Sequence, residues 1–354
     1  MIPAVVCTLG TTTDDPDVLA GMAAAGMGLA RINTAYVGTD DIARRLELLA
    51  ATGVPALLDL KGRQLRVDCT TVRVIDGVSV ERPVRYPIAV GDVIAVGFAT
   101  GPVRFNHVFG QDLSPGDTVL FDNGTIRTTV IDPSERGLAD PPNAVLLVVE
   151  DAGGGKMTPG MGANVPGKRL NVPCLTDRDR AAITVGVAYD VAWYALSFVQ
   201  HGDDLATLHE VLLTHGDARS GLVAKIEDAV GIDGLDGICA AAHAIGRPFA
   251  VMVGRGDLFV ELGPLGLYDA QRRIVEACVR NRVPAMVATG LLASMTDSPQ
   301  PTRAEVCDAA GALAMGAVSL MLSDETSNSR HPVEATKVLA AVARRYGLLP
   351  VMSL

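Results

Sequence analysis

The sequence predicts an α/β protein, a (β/α)8 TIM barrel with a small all-β lid domain inserted after strand 3. Three observations carry that prediction. First, eight short apolar runs are bounded by Gly, Pro or polar breakers, over 3–8, 27–33, 55–62, 190–198, 221–227, 248–257, 284–290 and 318–325. A parallel strand covered on both faces reads as a near-continuous hydrophobic run. Second, most of these runs are separated by stretches of helical periodicity, such as DPDVLAGMAAAG and DDIARRLELLAATG, which open on Asp and close on Gly. Strand and helix alternate in this way around a parallel barrel. Third, one connection breaks the rhythm. Residues 67–163 are rich in Val, Thr, Pro and Gly and show strand-like alternation, and Asn123–Gly124 suits a tight hairpin turn. The expected organisation is barrel over 1–66, lid over 67–163 and barrel again over 164–354. The lid exit, DAGGGKMTPGMG, is glycine-rich, but Lys156 is followed by Met157 instead of Ser or Thr. It reads as a hinge and not as a phosphate-cradling loop.

Composition bounds the function. The 354 residues, 49 % hydrophobic and 4 % aromatic, are ample for a barrel core with an appended module. A net charge of −10 with no stripe of Lys or Arg argues against a nucleic-acid partner. No basic leader precedes an apolar segment and no apolar run approaches about 18 residues, so no membrane partner and a cytoplasmic location are expected. The six cysteines are scattered, with no CxxC and no His at metal-ligand spacing, and read as small core residues. The six histidines are likewise read as structural.

In a parallel barrel, chemistry is expected just past the carboxyl ends of the strands. GLVAKIE and PFAVMVGRGDLFVE each stop abruptly in charge, which makes Lys225, Glu227 and Asp257 the first candidates. Polar residues recur at the other predicted ends: Thr8, Arg31 and Asn33, Asp59 and Lys61 with Arg66 beyond, Ser197, Thr289, and Ser323 with Glu325. A lone carboxylate or lysine at a loop start is usually a cap or a solvated charge. It is the number converging on one rim that favours function. Glu227 and Asp257 suit a hard divalent cation, Mg2+ or Mn2+, which takes oxygen ligands and keeps waters. Lys225, Arg31 and Arg66 can surround a phosphoryl group. Gly254, Arg255, Gly256 and Asp257 are expected to form a turn whose backbone N–H groups receive a substrate carboxylate.

At these residues the sequence resembles the pyruvate kinase family over nearly its whole length. CTLG is similar to the family's CTIGP, AGMGLARIN to AGMNVARLN, LLDLKGRQLR to LLDTKGPEIR, and SFVQ to SFVR. AKIED is similar to SKIEN, MVGRGDL to MVARGDL, VATGLL to TATQML, and LSDETSNSRHPVEA to LSGETAAGKYPVEA. The resemblance implies magnesium-dependent transfer of a phosphoryl group between phosphoenolpyruvate and ADP. It implies that Glu227 and Asp257 bind the metal, that Lys225 stabilises the phosphoryl group, and that Arg31 holds the phosphate. Gly256 and Asp257 N–H groups would take the carboxylate, Thr289 would sit beside the carbon that is protonated, and Ser197 would lie on the substrate side. Arg66, Asn33 and Tyr36 fall at nucleotide-facing positions, and Asn33 and Asp59 match two potassium ligands.

The departures cluster. The potassium-site Ser is Ala35, its neighbouring Thr is Leu60, and the Glu or Lys that tracks potassium dependence is Gln64. The lid lysine before GVNLPG is Met161, the His of the NFSHG run is Tyr36, and the Gln of ATQML is Gly290. The Gly of RGDLG is Phe259 and the Gly of SGET is Asp324. The chain ends soon after PVEA, so the family's C-terminal allosteric domain is expected to be absent, leaving barrel contacts to form a homodimer. The expected function is a pyruvate kinase-like phosphotransferase acting on phosphoenolpyruvate, pyruvate or a close 2-oxo acid analogue, with weakened ADP or ATP use and a weakened potassium site. The alternative is a metal-dependent lyase that stabilises an enolate and needs no nucleotide.

Overall fold

The computed structural model describes residues 2–35, 37–75, 78–98, 101–137 and 143–349. Eight parallel strands close into a barrel in chain order: β1 (Val5–Leu9), β2 (Leu29–Asn33), β3 (Ala56–Leu60), β4 (Trp193–Leu196), β5 (Gly221–Ile226), β6 (Phe249–Gly254), β7 (Ala285–Ala288) and β8 (Ser319–Leu322). Each expected strand is present; β1 starts two residues later and ends one residue later than expected, and the others are shortened at one or both ends. The largest trim, at β4, follows from Asp190, whose φ of 51° turns the chain before the strand begins.

Helices follow the strands on the outside: α1 (Pro16–Ala25), α2 (Thr39–Ala50), α3 (Asp177–Ala188), α4 (Gly202–Thr214), α5 (Leu235–Ile245), α6 (Arg255–Arg280), α7 (Arg303–Met315) and α8 (Pro332–Arg345). Their ends obey local chemistry. Thr176 with Asp179 and Thr302 with Glu305 form capping boxes, and Gly316 ends α7 at φ 119°. Among the described residues no helix is long and apolar enough to cross a membrane.

Strand alternation builds two apolar layers. Val6, Leu29, Leu57, Trp193, Val223 and Met252 pack together inside the barrel. The intervening residues, among them Val5, Ala30, Leu58, Tyr194, Ala224 and Val251, pack outward against the helices.

A second, eight-stranded sheet runs from Leu65–Ile75 to Met161–Asn164. Four of the chain's seven phenylalanines (Phe98, Phe105, Phe109 and Phe121) give it a core of its own, with ring centroids 4.9 to 6.0 Å apart. Its first and last strands are antiparallel neighbours, with Leu65 opposite Ala163, so the chain enters and leaves the module along one edge. Two expectations are corrected here. The Asn123–Gly124 turn is a four-residue loop, because Phe121 and Ile126 are the last pair and Asp122, Asn123 and Gly124 all adopt positive φ. The glycine-rich stretch is not a free hinge. Lys156–Met157 pairs with Tyr86–Pro87, and the crossing back to the barrel lies beyond Asn164.

The loop after β3 is tied down by two buried carboxylates. Asp179 accepts from the Lys61 and Gly62 N–H groups at 2.7 and 3.2 Å. Asp204 receives a bidentate Arg63 at 2.7 and 2.8 Å and the N–H groups of Gln200 and His201. Burial pushes the Asp204 carboxyl up, but Arg63 and the two N–H donors outweigh it and hold the group below the ordinary carboxylate range. A carboxyl depressed in the folded state stabilises the fold above its unfolded value, about 3.9, and that contribution is lost as pH falls through the folded value. Asp204→Asn is therefore expected to lower unfolding free energy at pH 7 by about 2 kcal/mol, with the difference shrinking below about pH 4. Urea titrations from pH 7 to 3 that give the same difference throughout would contradict this.

Candidate active site

The barrel interior alternates with period two, so these polar groups at the mouth each lie two residues beyond an inward-facing one. Arg31 follows Leu29, Asp59 follows Leu57, Ser197 follows Ala195 and Lys225 follows Val223, with Glu227 two residues beyond Lys225. The result is a compact charged layer. Asp59, 1 % exposed, accepts from Arg31 Nε at 2.7 Å on Oδ2, and lies 3.0 Å from Lys225 Nζ on Oδ1. Arg31 also donates to Thr8 Oγ1 at 2.9 Å. Lys225 Nζ donates to Ser197 Oγ at 2.6 Å and lies 3.1 Å from Glu227 Oε1. The Phe198 N–H fixes the other Glu227 oxygen at 2.9 Å.

The two cations decide the ionisation of the layer. Burial works against the Asp59 charge, but Lys225 and Arg31 prevail and hold its carboxyl low. Burial also works against the Lys225 charge, and Asp59 with Glu227 raises it instead. Glu227 fares differently. Burial, helped by Asp257 and Asp59 and only partly offset by Lys225, pushes it up to about 7. Asp257 is pushed up as well, chiefly by burial.

Three carboxylates, Asp59 and Glu227 buried and Asp257 half-buried, thus face two cations, and Glu227 and Asp257 are the two left short of positive charge. That donor set fits a hard divalent cation. Gly254 leaves the room required, since a Cβ there would collide with the Glu227 side chain. Among the described residues no group of three or more His, Cys, Asp or Glu could hold a metal. A cation held by these two carboxylates would complete its shell with water and substrate oxygens, as Mg2+ commonly does. The potassium residues fit less well. Both Asp59 oxygens are engaged by cations, Asn33 Oδ1 accepts the Ala35 N–H at 3.1 Å, and Ala35 has no hydroxyl.

The expected turn at Gly254–Asp257 is instead the start of α6, which begins at Arg255. Its first N–H groups lack intrahelical partners and point at the mouth, which makes an anion site of helical origin. The Arg255 side chain is engaged within the barrel wall. Its guanidinium donates to the Thr289 carbonyl at 2.9 and 2.7 Å and to Asp308 at 2.8 Å. These bonds hold Thr289 at φ 77°, a conformation strained for a β-branched residue, directly after β7.

The mouth opens into a cleft of about 1400 Å3 between barrel and module. Arg66 lines it on the module side, donating to the Gly160 carbonyl and to Gln64 Oε1. Met161 lines the cleft while packing into the module's core at 9 % exposure. Tyr36 lies outside the described residues. Sequence reasoning missed Asp14, Arg44 and Arg45, ion-paired on the cleft wall at 2.8 and 3.1 Å, because no periodicity signals that α2 meets the β1 loop. It also missed Asn164 and Glu261. Asn164 donates to Asp257 Oδ1 at 3.3 Å and to Glu261 Oε1 at 3.2 Å, and burial pushes Glu261 up to about 7. The spacing of Asp257 and Glu261, four apart on one helix, was the available signal.

Fold and mouth together define an α/β-barrel enzyme with its reactive groups at the strand ends. Residues 3–336 match the family model described as "Pyruvate kinase, barrel domain". The chain is 28 % identical over 350 residues to a pyruvate kinase of Borreliella burgdorferi, which covers 96 % of this chain and 67 % of that one. It is 32 % identical over 347 residues to one from Agrobacterium vitis (96 % and 67 %) and 32 % identical over 349 residues to one from Thermotoga maritima (96 % and 70 %). The chain belongs to the pyruvate kinase family.

Lys225 pairs with two buried carboxylates at once, and removing it leaves Glu227 without a cation and Asp59 with Arg31 alone. Lys225→Met is expected to cost about 3–5 kcal/mol of stability at pH 7. The loss should shrink on acidification as Glu227 and then Asp59 take up protons. Chemical denaturation of both proteins at pH 7 and 5 checks it, and a loss under about 1 kcal/mol would contradict the pairing.

Proposed function

We propose that the chain is a divalent-metal-dependent phosphotransferase acting on phosphoenolpyruvate and pyruvate, or a close 2-oxo acid, with a weakened nucleotide subsite. The observation that carries this reading is the mouth cluster of Arg31, Asp59, Lys225, Glu227 and Asp257. Glu227 and Asp257 would hold the cation, Mg2+ or Mn2+, which when bound polarises substrate oxygens.

The rest falls to the chain's own side chains. Arg31 has five N–H donors, of which Asp59 and Thr8 engage three, leaving hydrogens on both terminal nitrogens for a phosphate. Lys225 is held as a charged ammonium by Asp59 and Glu227, so its charge is preorganised where the transferred phosphoryl group develops negative charge. The N–H groups at the start of α6 would take the substrate carboxylate. The fixed backbone of Thr289 would set its hydroxyl beside the carbon that gains a proton when the enolate becomes a ketone.

The nucleotide side is poorer. Met161 offers no charge where a lysine would reach the nucleotide phosphates, and Ala35 removes a potassium ligand. Each loss removes about 1.5–3 kcal/mol if a charge-assisted contact is missing.

Two experiments test this reading. Millimolar Mg2+ with oxalate, an enolpyruvate mimic, should raise the melting temperature, and Glu227→Gln or Asp257→Asn should abolish the rise, because ligand binding to the native state stabilises by mass action. No shift in the unaltered protein would remove the metal assignment. Proton exchange at the pyruvate methyl group should persist while ADP-dependent turnover of phosphoenolpyruvate runs about 10²–10⁴-fold below an ordinary enzyme rate. Met161→Lys with Ala35→Ser should recover part of it. Turnover of about 10²–10³ per second by the unaltered chain would show that its nucleotide site is whole. Exchange without any phosphoryl transfer would favour the lyase alternative.

A further inference from the structure

Glu261 is a half-buried carboxylate that the proposed chemistry does not use, and it shares the Asn164 amide with Asp257. Asn164 is the last residue of the strand Met161–Asn164, where the chain leaves the β-module for the barrel, and it is 7 % exposed. An amide carries two N–H donors. The Asn164 Nδ2 sits 3.3 Å from Asp257 Oδ1 and 3.2 Å from Glu261 Oε1, one acceptor for each. Asp257 and Glu261 lie four apart on α6, so they face the same way and repel each other unless a donor stands between them.

The stretch of α6 that bears them is mechanically separate. At Gly263 the backbone takes φ 71° and ψ 171°, and Pro264 follows, so the first two turns are joined to the rest of α6 through a break. These two turns meet the module a second time at its far hairpin, where a Cβ on Gly124 would lie 3.6 Å from Val260. One short helical segment therefore receives the module at both places and also presents Asp257 and the free N–H groups to the mouth.

We propose that Asn164 is a positioning residue, an amide latch that seats the β-module on the first two turns of α6 and so ties its closure to the placement of Asp257. The tie to Asp257 rests on the reading of Glu227 and Asp257 as the divalent-cation site, whereas the latch itself rests on the two hydrogen bonds.

The test compares the unaltered protein with Asn164→Ala, Glu261→Ala, Glu261→Gln and the double variant Asn164→Ala/Glu261→Ala. The first readout is tryptic cleavage after Lys168 and Arg169, which flank the crossing. Losing a charge-assisted hydrogen bond should speed cleavage roughly tenfold in Asn164→Ala. Glu261→Ala should show a smaller rise, and the double variant should fall short of the sum of the two, because Asn164→Ala already removes a contact that Glu261→Ala breaks. Glu261→Gln keeps an acceptor for the amide and should stay within about twofold of the unaltered rate. The second readout is pyruvate methyl-proton exchange. The rate constant should fall in Asn164→Ala with KM nearly unchanged, and Glu261→Gln should preserve what Glu261→Ala loses, a pattern that general loss of folding would not give. Calorimetric titration with Mn2+ separates the two layers of the argument. If Mn2+ binds the unaltered protein and cleavage is the same in all variants, or if the two alanine effects simply add, the latch is overturned. If Mn2+ does not bind the unaltered protein, the metal reading fails and the tie to Asp257 fails with it.

Discussion

Asp59 is the residue on which the rest of the mouth depends. It is almost fully buried, and a carboxylate there is tolerated only because Arg31 from β2 and Lys225 from β5 each claim one of its oxygens. Those partners come from strands on either side of it, so the ion pairs can form only when β2 through β5 are in register. The register is set in turn by the alternation that buries Leu29, Leu57 and Val223 one layer below. A slip of one residue would send Arg31, Asp59 and Lys225 outward into the helix layer, where nothing neutralises them. Core packing and the charged layer therefore specify the same arrangement, and the cluster is as much a constraint on folding as a reactive site.

Positive charge is shared unevenly within that layer, and the unevenness is its chemical content. Asp59 is satisfied, while Glu227 and Asp257 are held in a desolvated place with too little positive charge nearby, which raises both. Such an imbalance is met by a proton or by a cation, and groups perturbed in this way cluster at functional sites. The strained backbone at Thr289 belongs to the same economy. Arg255 clamps its carbonyl with two nitrogens, so a guanidinium that resembles a substrate-binding group in sequence serves to hold the neighbouring strand end in shape.

The two sides of the cleft differ in character. On the barrel side, Arg31, Asp59, Lys225 and Glu227 are each braced by a neighbour. On the module side, Met161 belongs to the apolar core, and Arg66 donates to the Gly160 carbonyl and to Gln64. Relatives at about one-third identity match this chain over 96 % of its length.

The sequence by itself determined the eight strands, the inserted β-module and the identity of the inward polar residues, because period-two alternation and the abrupt end of an apolar run are local properties of the chain. It also placed Lys225, Glu227 and Asp257 at strand ends, since each follows its apolar run directly. Only the tertiary structure decided which charges neutralise which. Arg31 and Asp59 are 28 residues apart and Asn164 and Asp257 93 residues apart, and no local pattern encodes those meetings. It alone turned Arg255 toward Thr289, made the start of α6 a helix where a turn was expected, and drew Asp14 to Arg44 and Arg45. Hydrogen bonds and ion pairs act over about 3–4 Å, and which groups come that close is settled by closing the barrel, not by spacing along the chain.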